Sequence, residues 1–334
     1  MSIVTRKRNG TMNKQPLLSI CIPTWNRSKY LSISLDRFKQ QFTEIDNKDV
    51  ELLISDNHSD DDTPQVVQSY IKQGLPITYN RNEENIGAAK NFIKCMELAS
   101  GKYIWLLGDD DFLLPAALKY LIEQMKKGDY GLIHLKDRTV PHQKNDIEIS
   151  DNKEIFLQEV SYWLTFMSSN IFLKESVPLI ENKECYLWTH LLQVPFYLQS
   201  SFLRKNNLMI RKPMMDTAAD GSSNGGFNYF EVFVKGYLFI IGEGVRKGFY
   251  SIKFYNSLKK DIYVKFLAVK IFRHLILKKN VRSESELNKR NGFEIKGAWK
   301  ILLKNYGFEW YFWVSFISEP VKWFIRKTKG FIAR

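Results

Sequence analysis

From position 17 the chain alternates between short, wholly apolar runs and longer stretches in which apolar residues recur every three or four positions. Residues 17–23 (LLSICIP) form the first run and 50–55 (VELLIS) the second. Residues 77–79, 103–107 (YIWLL) and 130–135 complete the series. Runs this short, apolar throughout, predict strands buried on both faces. Between them Tyr30, Leu31, Leu35 and Phe38 carry a helical spacing across 27–41, and helices are predicted over 63–72, 88–99 and 115–126, the last opened by Pro115. Strands alternating with helices of about a dozen residues imply an α/β fold, a mainly parallel sheet covered by helices on both faces.

Beyond position 136 the pattern changes. Residues 137–153 are polar and aperiodic, which predicts a surface crossing. The chain is again apolar and aromatic from 155 to 210, with helices predicted around 156–166 and 186–202. Residues 216–228 (DTAADGSSNGGFN) are rich in glycine and serine and read either as a connector or as a flap over a site. A last helical stripe runs through Leu258, Ile262, Phe266, Val269, Phe272 and Ile276, interleaved with Lys259, Lys260, Lys270 and Arg273. The block 310–317 (WYFWVSFI) follows between Glu309 and Glu319, with Lys322, Arg326, Lys327 and Lys329 beyond it.

Composition sharpens this picture in two places. Cys21 lies in an apolar run and Cys95 in a helical pattern, so both are expected as buried free thiols, which suits a reducing compartment. Residues 1–15 are polar and basic with no secretory apolar stretch, and no run of about 18 apolar residues exists to span a membrane. A flexible N-terminus and a cytoplasmic location are expected. The net charge of +13 is unevenly spread: residues 245–334 hold 21 Lys and Arg against 6 Asp and Glu, and the remainder holds 28 against 30. The same basic stretch contains 19 aromatic residues. Together these predict helices lying peripherally on an anionic membrane surface, with a basic subdomain packed on the rest as the alternative. No RNA- or DNA-binding motif accompanies the charge, so no nucleic-acid partner is expected.

The candidate chemistry lies in Gly108-Asp109-Asp110-Asp111, directly after the run 103–107. Adjacent carboxylates at the end of a buried strand repel one another and predict a cation, and hard oxygen ligands suit Mg2+ or Mn2+. Ligands of open α/β sheets bind beyond the carboxyl ends of the strands, which fits this placement. A solvated acidic turn is the alternative. Three earlier segments add specificity: 19–27 (SICIPTWNR), 53–57 (LISDN) and 85–91 (NIGAAKN).

In this order and spacing the four segments resemble the nucleotide-sugar domain of family 2 glycosyltransferases, the Rossmann-like GT-A fold with its Asp-x-Asp signature. The resemblance covers residues 16–136. It implies a catalytic domain over 16–240, with a nucleotide-sugar half at 16–136 and an acceptor half at 137–240, followed by a basic, aromatic helical appendage at 241–334. By that resemblance Pro23, Thr24, Asn26 and Arg27 shape the pocket for base and ribose, and Asp56 accepts a hydrogen bond from the base. Asn85, Gly87 and Asn91 line the far side. Asp109 contacts the ribose or sugar and, with Asp111, holds a divalent cation; Asp110 shares the coordination or faces the sugar hydroxyls. The implied partners are a nucleotide-sugar donor and a saccharide or lipid-linked acceptor. The implied reaction is an inverting transfer in cell-surface polysaccharide synthesis.

The chain departs from the family pattern twice. Asp56-Asn57-His58-Ser59 stands where two acidic residues and a Gly-Ser turn are usual. The acidic pair that supplies the base in inverting members has no counterpart in 184–190 (ECYLWTH). His190 is the first candidate base, because imidazole titrates near neutrality, and Glu184 is the second. His190 reads equally as a structural helix residue, and Trp188 reads as a core tryptophan ahead of a sugar platform. The missing pair leaves a non-catalytic, membrane-associated scaffold as one alternative, and the acidic cluster also suits a nucleotidyltransferase. A phosphatase motif would have Thr or Val where Leu113 stands. A dinucleotide-binding turn would need glycines where Pro23-Thr24-Trp25-Asn26 stands, and a P-loop sequence is absent.

Overall fold

The five apolar runs become strands, and the first of them is the pivot of the sheet. The computed structural model describes residues 15–136, 146–218, 225–272, 275, 277 and 292–332. In it β1 (Leu18–Thr24) is followed by α1 (Ser28–Gln41), β2 (Val50–Asp56), α2 (Thr63–Lys72), β3 (Ile77–Arg81), α3 (Ala88–Leu98) and β4 (Tyr103–Leu106). The chain steps outward from β1 to β2 to β3, all parallel, then returns to lay β4 along the other side of β1. That reversal is a topological switch point, where connections leave in opposite directions and open a crevice at the carboxyl ends of β1 and β4. Burial explains the arrangement: every residue of β4 is buried, and α1 covers the sheet with Leu31, Leu35 and Phe38, spaced along one helix face.

β5 (Asp111–Leu113), α4 (Ala117–Met125), β6 (Tyr130–Leu135), β7 (Ile147–Ser150), α5 (Lys153–Val160), β8 (Asn170–Leu173), α6 (Val194–Ser201), β9 (Asn206–Ile210) and β10 (Met215–Thr217) follow. Eight strands form one sheet in the order β3-β2-β1-β4-β8-β6-β9-β7, while β5 and β10 pair antiparallel on their own. The mainly parallel α/β sheet is therefore present. The hydrophobic pattern did not reveal β8, antiparallel to both β4 and β6, or β7, antiparallel to β9. Gly131 lies where α6 meets β6: a Cβ there would sit 2.5 Å from the Ser200 carbonyl oxygen. The Ser200 hydroxyl donates to the Gly131 carbonyl at 2.6 Å and accepts from the Leu173 N–H at 2.8 Å, stitching β6 to β8.

Two predicted helices are each divided. The stretch 186–202 is a 3-10 turn, Lys183–Thr189, and then α6, with His190 between them at φ +56°. Pro195 stands in the first turn of α6, where its missing N–H is harmless; inside a continuous helix it would clash with the preceding turn. Likewise α5 ends at Val160 and a 3-10 turn, Ser161–Thr165, follows. The segments 1–14, 137–145 and 219–224, which include most of the expected N-terminal arm and surface crossing and the middle of the Gly/Ser stretch, lie outside the described residues.

The chain divides into two compact units. One comprises Met1–Phe156, Phe166–Lys183 and Leu192–Ala219, and holds the eight-stranded sheet; the other comprises Leu157–Thr165, Glu184–Leu191 and Asp220–Arg334. The second contains β11 (Gly225–Asn228), α7 (Tyr237–Arg246), α8 (Ile252–Ile262), α9 (Ala268–Ile271), β12 (Gly292–Glu294), α10 (Ala298–Tyr306) and α11 (Trp310–Ile332). Ser251 caps α8, its hydroxyl accepting from the Phe254 N–H at 3.1 Å. Leu258 and Ile262 are buried as the stripe predicts, but Tyr263–Leu267 form a π-helical turn. The wider turn rotates the buried face onto Tyr263, Leu267 and Ile271, leaving Phe266 and Val269 half-buried. Ile276 and Arg273 lie outside the described residues.

One face of the second unit is apolar and outward. On α11, Tyr311 and Phe312 point inward, while Trp310, Trp313, Val314 and Ile317 (75% exposed) share the outer face at helical spacing. Phe308 is fully exposed just before them, and Trp299 and Leu303 are exposed on α10 beside Lys300 and Lys304. Trp299 stacks on Phe316 at 5.7 Å, and the Lys260 ammonium lies 5.1 Å from the Trp310 ring. Among the described residues no helix is long and apolar enough to cross a membrane.

Candidate functional site

The switch point of the sheet is occupied by the acidic triplet. β1 ends at Thr24, and Leu107 is still tied to it, its N–H donating to the Cys21 carbonyl at 2.9 Å. The chain then leaves the sheet through Gly108. Across the crevice the Thr24 hydroxyl donates to Asp109 Oδ2 at 2.7 Å. Asn26 takes the left-handed conformation (φ +53°) and so turns Arg27 back over the strand ends. There the Arg27 Nε donates to Asp109 Oδ1 at 2.6 Å and its Nη2 to Asp110 Oδ2 at 2.7 Å, with the Tyr30 ring 4.5 Å from the guanidinium.

Asp111 opens β5, opposite Thr217 of β10, whose hydroxyl donates to Asp111 Oδ1 at 2.7 Å. The Ser168 hydroxyl donates to Asp111 Oδ2 at 2.5 Å while accepting from the Gly108 N–H at 2.9 Å. The Ser168 carbonyl in turn accepts from the indole N–H of the buried Trp105 at 2.8 Å. Ala218 donates its N–H to the Asp110 carbonyl at 2.9 Å, so the start of the Gly/Ser segment is bonded to the triplet. Asp109, Asp110 and Asp111 are only 5%, 8% and 4% exposed, which sets aside the solvated acidic turn. Burial pushes the Asp109 carboxyl up to about 6, against the opposing pull of Arg27 and Thr24. Burial likewise pushes Asp111 up to about 6, with Ser168 and Thr217 opposing. For Arg27 burial works against the charge, but Asp109 and Asp110 outweigh it and hold the guanidinium above its ordinary value.

These residues suit a hard divalent cation. Their donors are carboxylate oxygens, and the hydroxyls of Ser168 and Thr217 can rotate to release them. Among the described residues no three His, Cys, Asp or Glu side chains gather round one point. A Mg2+ ion held by one or two carboxylates plus phosphate oxygens needs no such group.

Beside the triplet lies a polar network at the end of β2. Asp56 is fully buried, accepting from the Ser59 N–H at 2.8 Å and the Tyr79 hydroxyl at 2.6 Å, with Arg81 Nε 3.6 Å away. Asn57 donates to Asn85 Oδ1 at 2.7 Å and accepts from Ile86 N–H and Asn82, both at 3.0 Å. Asn82 also donates to Asn91 at 3.1 Å, and Asn91 donates to the Ser55 carbonyl at 2.9 Å. Asn91 is thus a buried strut between α3 and β2, whereas Asn85 and Gly87 are exposed, Gly87 at φ +82°. Pro23 is the register partner of Ser55, and Asn26 accepts from the Asp60 N–H at 2.8 Å, fastening the two turns together. Thr24, Arg27, Asp109 and Asp110 are therefore one bonded cluster, with Asp111 following directly, and Asp56, Asn85 and Asn91 belong to the adjoining network. Ser168, Thr217, Asn57 and Asn82 were not read from the sequence, since each is a common polar residue recruited only by the pairing of strand ends.

His190 and Glu184 are both exposed and belong to the second unit. His190 follows the 3-10 turn instead of lying within a helix, its ring 6.1 Å from that of Phe227. Trp188 is not a core residue: it is 50% exposed, its ring 5.4 Å from Phe239.

The sequence model described as "Glycosyl transferase family 2" matches residues 19–169. Over 229 residues the chain is 31% identical to the abequosyltransferase RfbV of Salmonella typhimurium, a match covering 62% of this chain and 68% of that one. The chain belongs to glycosyltransferase family 2. This glycosyltransferase is also 30% identical, over 203 residues, to the GalNAc(5)-diNAcBac-PP-undecaprenol beta-1,3-glucosyltransferase of Campylobacter jejuni, covering 56% of this chain and 63% of the relative. Two solved structures share its GT-A fold. TarS 1-349 of S. aureus, in complex with UDP-GlcNAc, aligns with a TM-score of 0.57 at 17% identity, over 80% of this chain and 77% of that one. The mannosyltransferase PcManGT of Pyrobaculum calidifontis, in complex with GDP-Man and Mn2+, aligns with a TM-score of 0.53 at 14% identity, over 92% and 87%.

Proposed function

We propose that the chain transfers a sugar from a nucleoside-diphosphate donor to a saccharide or lipid-linked acceptor, with inversion and with a divalent cation, in the synthesis of a cell-surface polysaccharide. The observation that carries the reading is the buried triplet at the switch point, bonded across the crevice to Thr24 and Arg27. Asp111 and Asp109 are the proposed cation ligands, with Asp110 beside them. When bound, the cation supplies Lewis-acid stabilisation of the charge that develops on the departing diphosphate. Pro23, Thr24, Asn26 and Arg27 shape the wall for base and ribose, and Asn85, Gly87 and Asn91 hold the far side. Asp56, expected to accept from the base, is fully buried and bonded to Ser59 and Tyr79, and it braces the turn beside that wall instead. The acceptor hydroxyl attacks the anomeric carbon while the bond to the diphosphate breaks, and its proton passes to His190, with Glu184 as the second candidate. Replacing His190 with alanine is then expected to reduce turnover at least about tenfold with binding of the donor retained. Turnover within about threefold of wild type would remove it as the base.

The outward aromatic face of α10 and α11, with its lysines, is proposed to rest on the anionic inner surface of the cell membrane, consistent with a lipid-linked acceptor. The undecaprenol-linked saccharide in the name of the Campylobacter relative supports the acceptor class. The reading is tested by a thermal-shift panel of UDP, GDP, CDP and TDP with and without Mn2+, followed by product analysis with the matching sugar nucleotides. One nucleoside diphosphate is expected to stabilise the protein in a Mn2+-dependent way, because a ligand of the folded state raises its stability, and the same nucleoside diphosphate is expected as the product. Release of pyrophosphate would indicate a nucleotidyltransferase, and no Mn2+-dependent stabilisation by any nucleotide would indicate a scaffold.

A further inference from the structure

We infer that Arg27 is a resident counter-ion of the acidic triplet, which keeps the site closed to free divalent cations and lets the cation enter only together with a nucleoside diphosphate. The inference rests on the donor reading above and adds a role for Arg27 that a residue merely shaping the base pocket would not have. Among the described residues, at least five of the six carboxylate oxygens of the triplet already hold a donor. Arg27 occupies one oxygen each of Asp109 and Asp110, Thr24 the second oxygen of Asp109, and Thr217 and Ser168 the two of Asp111. The guanidinium spans two adjacent carboxylates as a planar fork, the arrangement in which charge-assisted bonds are strongest.

The pairing is built in, because the parts that aim Arg27 are themselves fixed. Asn26 is held at φ +53° by the Ser59 hydroxyl, which accepts from its N–H at 2.9 Å, and by the Asp60 N–H. The Tyr30 ring lies under the guanidinium. The Arg27 side chain is only 18% exposed, so water screens the pair weakly. A bare cation would have to break these bonds and complete its shell with water. A cation carrying a diphosphate brings phosphate oxygens to its own shell and anionic oxygens for the displaced guanidinium to meet. Binding of cation and nucleotide is therefore strongly coupled, and by linkage each tightens the other by the same factor.

The test is titration of Mn2+ into the nucleotide-free full chain, read by the electron paramagnetic resonance of the free ion, for wild type and Arg27→Gln. Wild type is expected to bind Mn2+ alone weakly and at least tenfold more tightly with a saturating nucleoside diphosphate chosen from UDP, GDP, CDP and TDP. Arg27→Gln is expected to bind Mn2+ alone at least tenfold more tightly than wild type, with a smaller further gain from nucleotide. Tight binding of Mn2+ by the wild type alone, unchanged by nucleotide, would overturn the inference, and that arm depends on no variant's folding. An Arg27→Gln protein that folds, by its melting curve, yet gains no affinity for Mn2+ would overturn it as well. Tightened binding in Arg27→Gln with no response to any nucleotide in either protein would uphold the hold of Arg27 on the triplet and overturn the donor reading beneath it.

Discussion

Replacing Asp111 with asparagine is expected to lower kcat/KM for sugar transfer by at least ~100-fold while raising the melting temperature of the metal-free protein. Asparagine keeps the shape of the side chain and a carbonyl for the Thr217 or Ser168 hydroxyl, but it has no charge to hold a cation. The stabilisation follows from the same burial that suits Asp111 to its task. Its carboxyl is pushed from the ordinary 3.8 up to about 6, so between these values the folded protein binds more protons than the unfolded chain. Stability from this group is complete below the unfolded value and is lost as pH rises through the folded one. The loss is on the order of 2–3 kcal/mol by neutral pH, taking about 1.4 kcal/mol for each pH unit of displacement. The variant's advantage in melting temperature should therefore be small at pH 4.5 and full at pH 7.5. A variant less stable than wild type at pH 7.5, or one that retains full activity, would sink this account of Asp111.

Converting Trp310, Trp313 and Ile317 together to serine is expected to weaken binding to anionic vesicles by at least ~100-fold, given ~1.5 kcal/mol or more for each large apolar side chain removed from water. Trp310 and Ile317 point outward, while the Trp313 indole N–H donates to the Gly307 carbonyl at 2.8 Å, so the melting temperature should fall only modestly. The lysines add a second signature: wild-type binding should weaken steeply as salt rises, because exposed charges are screened within about 10 Å at 0.1 M. Co-sedimentation with phosphatidylglycerol-rich vesicles against neutral ones measures both effects. Undiminished binding by the triple variant would show that this face does not meet the lipid.

The half of the chain nearest the triplet was legible in the sequence because its strands are buried on both faces and its helices on one. Such runs, ending in Pro23-Thr24, Asp56 and Gly108-Asp109, mark both the sheet and the edge where ligands bind. Beyond position 136 the signal fails for particular reasons. β8 and β9 are four and five residues long, and an apolar run of that length looks the same as part of a buried helix. Pro195 marks the break before α6, since proline is tolerated in the first turn of a helix and not within one. The π-helical turn at Tyr263–Leu267 has no such mark, since adding one residue to a turn is decided by packing. At the site, the triplet implied a divalent cation but not the guanidinium of Arg27, which the fold sets against two of its carboxylates. Arg27 comes from 82 positions earlier, a partnership that only the return of β4 to β1 creates.

Ser168 has a consequence for how the molecule comes apart. Its hydroxyl orients Asp111 and its carbonyl receives the indole of Trp105, at the centre of the fully buried strand β4. Asp111, the proposed cation ligand, is tied in this way to the same cooperative opening unit as a wholly buried strand of the sheet. Heat or denaturant will therefore not open the strand end that carries Asp111 ahead of the sheet; that end opens when the domain does.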